Sequence, residues 1–429
     1  MQSTKKQVFW INYAASTPAE SGPTRHYEIA RRLNSGDSGV HCTVVASSIH
    51  HGTQTDRLKD GSSSQKLETV EGVPFFWVRA KSSSKGLLAR AGAMLHFSYK
   101  LYRALSRSEV RPQVIVGSSP HLLQAFVGYL AARRIGASFI LEVRDIWPES
   151  LVEIGGVSRF HPGVLFLGWV EKFLYRRASK IFYLLPNFDR YLESLGVSTP
   201  AYYLPNAASV EKTAQKVDCP GAVVASSLQD SKPQRVPSNE SDSGRTFRFI
   251  YAGSHGLAQN LKSLVDAALI LKDKGRSDIE IVMLGSGYEK RMLVERAGAL
   301  ALSNVIFLDP VPKEEVRKII ASADAGILHL KNLPLFKWGI SPNKLFDYMA
   351  CEKPVLFAVN TNFDDLEKHA FGIKAEADHP QELAEKMIAL ANLSAEERAQ
   401  MGRRGKELTN TVYSFDHIAR QCAEILSAT

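Results

Sequence analysis

The sequence predicts an α/β fold in two successive domains, and three observations carry that expectation. Apolar runs of strand length alternate with helical stretches from Val8 to Leu204, and the alternation starts again at Thr246. Between the two, Ser, Pro, Asn, Gln and Lys dominate residues 226–243, the composition of a flexible linker or surface insertion. The chain has 429 residues, more than one hydrophobic core organises.

Taken in order, Val8 to Asn12 is an apolar run behind Lys5-Lys6. It is too short for a signal peptide and reads as a first strand. Pro23 to Leu33 follows as a helix and Val40 to Ala46 as a strand. Gln113 to Val116 is a strand, His121 to Ile135 a helix, and Ser138 to Val143 a strand. Lys180 to Leu184 and Ala201 to Leu204 complete a mostly parallel sheet. The second series runs through strand 246–251, helix Leu261 to Asp273, strand Ile279 to Leu284 and helix Tyr288 to Ala299. Strand Val305 to Leu308 and helix Lys313 to Ser322 come next. No short internal repeat is visible.

Lys and Arg number 53 against 44 Asp and Glu, a net charge of +9 that favours an anionic partner. No nucleic-acid recognition motif accompanies the charge, so nucleic acid is not expected. The four cysteines are widely spaced with no Cys-x-x-Cys pair, which speaks against zinc and for a reducing compartment. No uncharged apolar stretch reaches the length of a membrane span. The expected location is cytoplasmic, soluble or peripherally bound.

Several short segments carry chemistry. In 339–356 a polar loop opens a helix that stops before Lys353-Pro354 and feeds the strand Val355 to Val359. Pro342 suits a first helical turn and Pro354 ends a helix. Lys344 and Asp347 then stand one turn apart on one face near the positive helix end. A cation there neutralises phosphate, and a carboxylate accepts both hydroxyls of a ribose. Gly253-Ser254-His255-Gly256 lies between a strand and a helix, where glycine lets backbone approach phosphate. The turn Gly285-Ser286-Gly287 is read as a tight strand-to-helix connection. In 141–150 an apolar strand ends directly in Arg144-Asp145, with Trp147-Pro148 as a wall and Glu149 as a second acid. Gly22, Arg25 and His26 open the first helix and make a candidate anion site. No P-loop signature and no His-Glu-x-x-His occurs.

Two segments have the pattern of membrane-surface helices. From Lys81 to Arg111 there are seven basic residues and one acid, Glu109. Leu87, Ala91, Met94, Leu95, Ser98, Leu101, Tyr102 and Leu105 share a face there, opposite His96, Lys100, Arg103 and Arg107. In the second segment Phe166, Val170 and Phe173 line one side, flanked by Leu167, Trp169 and Leu174, with Lys172 and Arg176 on the other. Both patterns suit an anionic bilayer, and an amphipathic helix facing a core has the same pattern.

The segment 339–356 resembles the nucleotide-sugar motif of retaining glycosyltransferases of family GT4, nearest to the bacterial N-acetylfucosamine-type branch that builds O-antigens and capsules. The resemblance covers nearly the whole chain and is most specific at 144–150 and 341–354. It implies a GT-B fold, two Rossmann-like domains facing a cleft: 1–206 for the acceptor and membrane, 207–245 as linker or insertion, 246–405 for the nucleotide sugar, and 406–429 as a helix crossing back. The implied donor is a UDP-sugar, held by Gly253, Ser254, His255, Asn343, Lys344 and Asp347, with backbone at Pro310 and Val311 meeting the base. The implied acceptor is a polyprenyl-diphosphate-linked saccharide. Asp145 would act on its hydroxyl, with Glu149 and His26 as further catalytic candidates, and Gly22, Arg25 and Arg144 would meet acceptor or phosphate. Lys100, Arg103, Arg107, Phe166 and Trp169 would touch an anionic membrane on the inner face of the plasma membrane. No cofactor and no metal ligand are implied, and no Asp-x-Asp pair occurs.

The sequence departs from the family in three places. Members carry two acids eight positions apart around the motif helix; Asp347 matches the second, and the first falls on Gly339. The Arg and Lys usual in and after the glycine loop are replaced by Ser254 or His255 and by Gln259 or Asn260, so Lys344 supplies the missing charge, with Lys262 as a helper. Ala207 replaces glycine in the Pro-Asn-Gly hinge that Pro205-Asn206 resembles. These departures keep two alternatives open: a non-catalytic nucleotide-binding subunit that recruits a partner to the membrane, and a nucleotide-sugar epimerase of the same fold.

Overall fold

The structure is a computed structural model that describes residues 5–20, 22–50, 53–58, 63–82, 87–208, 223–224, 234–235 and 246–429. Most of the expected linker, 207–245, lies outside the described residues. The chain divides into two units. One holds residues 1–207, Trp338–Ser341 and Phe415–Thr429; the other holds 208–337 and 342–414.

In the first unit the elements run β1 (Lys6–Ile11), α1 (Arg25–Ser35), β2 (Val40–Ser47), β3 (Gln65–Val70), β4 (Val73–Val78), α2 (Leu87–Ser106) and β5 (Val114–Ser118). They continue as α3 (Leu122–Ile135), β6 (Ser138–Val143), α4 (Glu149–Glu153), α5 (Pro162–Arg177), β7 (Lys180–Tyr183), α6 (Phe188–Ser194) and β8 (Ala201–Tyr203). The sheet order is β3-β4-β2-β1-β5-β6-β7-β8. Every pairing is parallel except β3 with β4. That edge hairpin is absent from the sequence reading. β3 puts Lys66, Glu68 and Val70 on one face and Leu67 on the other and stays largely exposed, so it carries no buried apolar run to mark it. Chain order reverses between β1 and β5, so the strand ends beside Asn12, Ser118 and Asp145 form a switch point.

The second unit opens with a short antiparallel pair, β9 (Val223–Val224) and β10 (Gln234–Arg235). Its elements are β11 (Phe247–Ala252), α7 (Lys262–Asp273), β12 (Ile279–Leu284), α8 (Lys290–Ala299), β13 (Val305–Leu308), α9 (Lys313–Ser322), β14 (Ala325–His329), α10 (Asn343–Ala350), β15 (Val355–Ala358), α11 (Asp365–His369), β16 (Gly372–Ala375), α12 (Pro380–Asn392) and α13 (Ala395–Asn410). The order β13-β12-β11-β14-β15-β16 is all parallel. Its switch point lies between β11 and β14, where the chain first winds outward and then returns. The last helix, α14 (Phe415–Ser427), packs in the first unit against α1 and β2. There Phe415, Ile418, Cys422 and Leu426 join the core of Trp10, Ile29, Val44 and Phe75.

One expected membrane helix is corrected in part. α2 packs on α3 and β4 and buries Ala93, Phe97, Ser98, Leu101, Ala104 and Leu105. The apolar stripe around Leu101 and Leu105 is therefore core, and among the described side chains of α2 the exposed large apolar ones are Leu95 and Tyr99. Lys100 is half-buried, while Arg103 and Arg107 are exposed.

Candidate functional site

In the second unit the strand ends gather the glycine turns. The Gly253 N–H donates to the Leu284 carbonyl at 2.9 Å, and the Gly285 N–H to Leu308 at 3.1 Å. Gly285 has φ +138, and a Cβ on it would stand 2.0 Å from the Gly253 oxygen; one on Gly287 would stand 2.4 Å from the His255 oxygen. The second glycine turn thus supports the first by backbone contact and serves as a tight connection. Ser254 is exposed, and its carbonyl accepts the Tyr251 hydroxyl at 2.6 Å. His255 is fully buried with both ring nitrogens unpartnered.

α10 begins at Asn343, which is exposed. Lys344 donates to the Tyr251 hydroxyl at 2.5 Å. Asp347, one turn on and partly buried, has Lys313 of α9 at 3.8 Å. Pro310 and Val311 follow β13 in the loop, exposed and half-buried respectively. Lys262 is committed elsewhere, paired with Asp266 at 2.7 Å. Lys290 and His329 also belong to this neighbourhood and were not singled out in the sequence. Lys290 donates to the carbonyls of Gly285 and Leu308, each at 2.9 Å. His329 ends β14 and donates from Nδ1 to the Gln259 carbonyl at 2.8 Å.

The missing acid at Gly339 has a steric cause. Its φ is +101, and a Cβ would stand 2.4 Å from Pro186 Cδ and 2.8 Å from Pro186 N. The segment Trp338–Ser341 is packed within the first unit by the Asn187 N–H to the Trp338 carbonyl, 3.1 Å. Asn206 adds its N–H to Ser341 Oγ, 3.0 Å, and its amide to the Ser341 carbonyl, 2.5 Å. A carboxylate at 339 would need this backbone rebuilt.

In the first unit the candidate residues divide into two groups. Arg25 and His26 do not stand open at the helix start as expected: both are buried against a protein carboxylate. Each bonds Glu142 near the C-terminal end of β6, Arg25 Nε at 3.1 Å and His26 Nε2 at 2.9 Å. Ser118 Oγ at 2.5 Å and Trp10 Nε1 at 3.2 Å complete the carboxylate's donors. Arg25 also donates to the carbonyls of Pro205 and Leu204. Burial would raise the Glu142 carboxyl, but His26, Arg25 and Arg144 outweigh it and hold it well below the usual range. Burial also pushes the His26 imidazole down, against Glu142. We read His26 as neutral at pH 7, donating Nε2–H, with Arg25 as the charge that keeps Glu142 ionised. Glu142 was missed in the sequence. The available signal was a lone acid inside the apolar run Phe139 to Val143, since a carboxylate is buried only with partners.

Arg144 and Asp145 lie just past that strand. Ser119 Oγ accepts the Arg144 N–H at 2.8 Å and donates to the Asp145 carbonyl at 3.3 Å, which fixes the turn. Asp145 is exposed, and its carboxylate makes no hydrogen bond or ion pair with the described residues. Surrounding protein desolvates the group and raises its pKa, and Arg144 opposes that. Because the side chain still reaches water, we read the rise as weaker than in a buried acid. Arg144 is half-buried, and its Nη1 is buried with no partner. Glu149 opens α4 and is held by Arg159 at 2.9 Å. Gly22 sits in the turn before α1, where a Cβ would meet Ser16 Oγ at 2.6 Å.

Residues 21–207 match the family described as glycosyl transferase 4-like domain, and residues 235–408 match glycosyl transferases group 1. The two successive parts of the chain thus each match a glycosyltransferase family model. A probable glycosyltransferase, WbjE of Pseudomonas aeruginosa, is 22% identical over 281 residues. That stretch is 64% of this chain and spans 64% of the length of the curated relative it matches. Two solved structures are similar over 99% of the chain at 13% identity: sucrose-phosphate synthase of Thermosynechococcus elongatus, TM-score 0.71 over 98% of that chain, and HepE of Anabaena in complex with UDP and glucose, TM-score 0.66 over 100% of that chain. The fold is the GT-B architecture.

The first unit also carries an exposed aromatic surface on α5. Phe160 before the helix, then Leu165, Phe166 and Trp169, all stand more than half out in solvent. Trp169 stacks on Phe173 at 5.4 Å and on Phe166 at 6.2 Å, while Val170, Leu174 and Tyr175 bury the opposite face. Lys172, Arg176 and Arg177 flank the stack and are exposed. Among the described residues no helix is long and apolar enough to cross a membrane.

Proposed function

We propose that this glycosyltransferase moves a sugar, an N-acetylated amino sugar in our reading, from a UDP-sugar to a polyprenyl-diphosphate-linked saccharide in O-antigen or capsule synthesis. Transfer retains anomeric configuration and uses no metal. The observation that carries the donor half is the second unit's switch point. Two glycine turns meet there by backbone contact, with Lys344 and Asp347 one turn apart on α10. Phosphate fits the exposed backbone and Lys344, and a ribose diol fits the Asp347 carboxylate. HepE, which shares the fold, holds UDP and glucose in its solved structure, in line with a uridine nucleotide here.

Asp347→Ala should weaken UDP binding by about 2 kcal/mol, because it removes charge-assisted hydrogen bonds. Calorimetry with UDP is the check, and unchanged affinity would remove Asp347 from the ribose. The reaction itself is tested by screening UDP-sugars for UDP release with and without membrane lipid extract.

For the acceptor, Asp145 takes the proton of the attacking hydroxyl while Arg144, with its orphan Nη1, meets the acceptor phosphate. A lipid-linked acceptor calls for a docked enzyme, and the α5 surface supports docking on the anionic inner face of the plasma membrane: aromatic rings at the interface and three cations beside them. Each such cation contributes about 1 kcal/mol near an anionic surface. Replacing Lys172, Arg176 and Arg177 with Glu should release the protein from anionic vesicles in sedimentation while UDP binding survives. Wild-type protein indifferent to lipid charge would end this part of the reading.

A further inference from the structure

Lys344 has a setting that few lysines share. Its ammonium reaches the Tyr251 hydroxyl and lies 3.9 Å from the centre of the Tyr251 ring. Gly253 closes over it, so that a Cβ at 253 would stand 2.9 Å from both Cε and Nζ. No carboxylate pairs with it among the described residues. The other lysines nearby are engaged: Lys262 with Asp266, Lys290 with Asp309 at 2.7 Å, and Lys313 with Asp347 at 3.8 Å. The titratable groups around it are Tyr251 on β11, His255 in the glycine loop, His329 at the end of β14, and Lys290 on α8. Asp347 and Tyr348 follow on α10 itself, and Asp378 acts on His329. Both imidazoles are fully buried, and three of their four ring nitrogens lack a partner: both on His255, and Nε2 on His329. Buried polar atoms are rarely left unpaired in native proteins, and three of them near an amine that no carboxylate pairs mark a place for a polar ligand.

We propose that the phosphate end of this pocket carries no fixed positive charge at rest and takes up a proton, on Lys344, as a nucleoside diphosphate enters. The proposal deepens the donor-site reading above and rests on it. The Tyr251 ring and hydroxyl favour the ammonium, but removal of water costs it more, and burial lowers Lys344 to about 7. A diphosphate at hydrogen-bond distance supplies the opposite charge and raises the amine again. The amine nitrogen then gains one proton from solvent, and no other bond changes. His255 is driven down to about 4 by burial, Lys290 and Lys344, so it stays neutral. A neutral imidazole keeps one N–H, which can donate to a phosphate oxygen. The sign follows from linkage: the free pocket loses its proton as pH rises through about 7 and the occupied pocket keeps it. Diphosphate affinity therefore falls with rising pH, by about tenfold per unit well above that point.

The test is calorimetry with UDP at pH 8, where free UDP is already fully ionised, in HEPES and in Tris, whose ionisation enthalpies differ. The expected result is about one proton taken up per UDP and none per uridine. Lys344→Arg, which supplies a permanent cation, should bind UDP without proton uptake and with little dependence on pH. Lys344→Met should bind weakly and also without uptake. UDP binding by the wild type with no proton uptake overturns the inference and leaves the donor site standing. Uptake that persists in both variants removes Lys344 from it. No UDP binding at all overturns the donor-site reading itself.

Discussion

Asp145→Asn is expected to lower the rate of sugar transfer roughly 100-fold while donor affinity stays the same. The amide keeps the shape of the side chain and its exposure, and it loses the ability to take the acceptor proton. Nothing in the fold depends on this carboxylate: the turn is fixed by Ser119 through the backbone of Arg144 and Asp145. The comparison variant is Glu149→Gln. Glu149 is engaged with Arg159 at 2.9 Å, so its loss should cost little in rate. Steady-state kinetics with a fixed acceptor and calorimetry with UDP separate the two quantities. An Asp145→Asn enzyme that keeps its rate would move proton transfer to the donor phosphate.

Arg25→Met is expected to destabilise the first unit by about 3 kcal/mol, within the range for breaking one side of a buried ion pair. For a unit of this size that is a fall in Tm of roughly 6–12 °C. The substitution strips Glu142 of its permanent cation and leaves the Pro205 and Leu204 carbonyls short of donors. Methionine preserves much of the volume, so the loss reports charge and hydrogen bonds rather than a cavity. Scanning calorimetry or thermal denaturation by circular dichroism reads it. The double variant with Glu142→Met should recover part of the loss, because an apolar pair needs no partner. A shift under 2 °C for Arg25→Met would mean that His26, Ser118 and Trp10 suffice to hold the carboxylate.

The alternation of strands and helices was fixed by local pattern, and the sequence alone placed α10 with Lys344 and Asp347 on one face. It also placed Arg144-Asp145 at a strand end, because a helix turn and a strand terminus are short-range facts. The fate of Arg25 and His26 was not local. As residues at a helix start they read as an anion site, but their anion is Glu142, 116 residues beyond His26, and the pairing exists only once β6 lies beside β5 in the sheet. α2 shows the same limit in another form. An apolar stripe says that a helix face is covered and not by what; packing on α3 and β4 decided for the core, whereas on α5 the stack of Phe166 and Trp169 was left in solvent. At Gly339 the sequence shows that an acid is missing. Only the backbone at φ +101, pressed against Pro186, shows why a side chain there has no room.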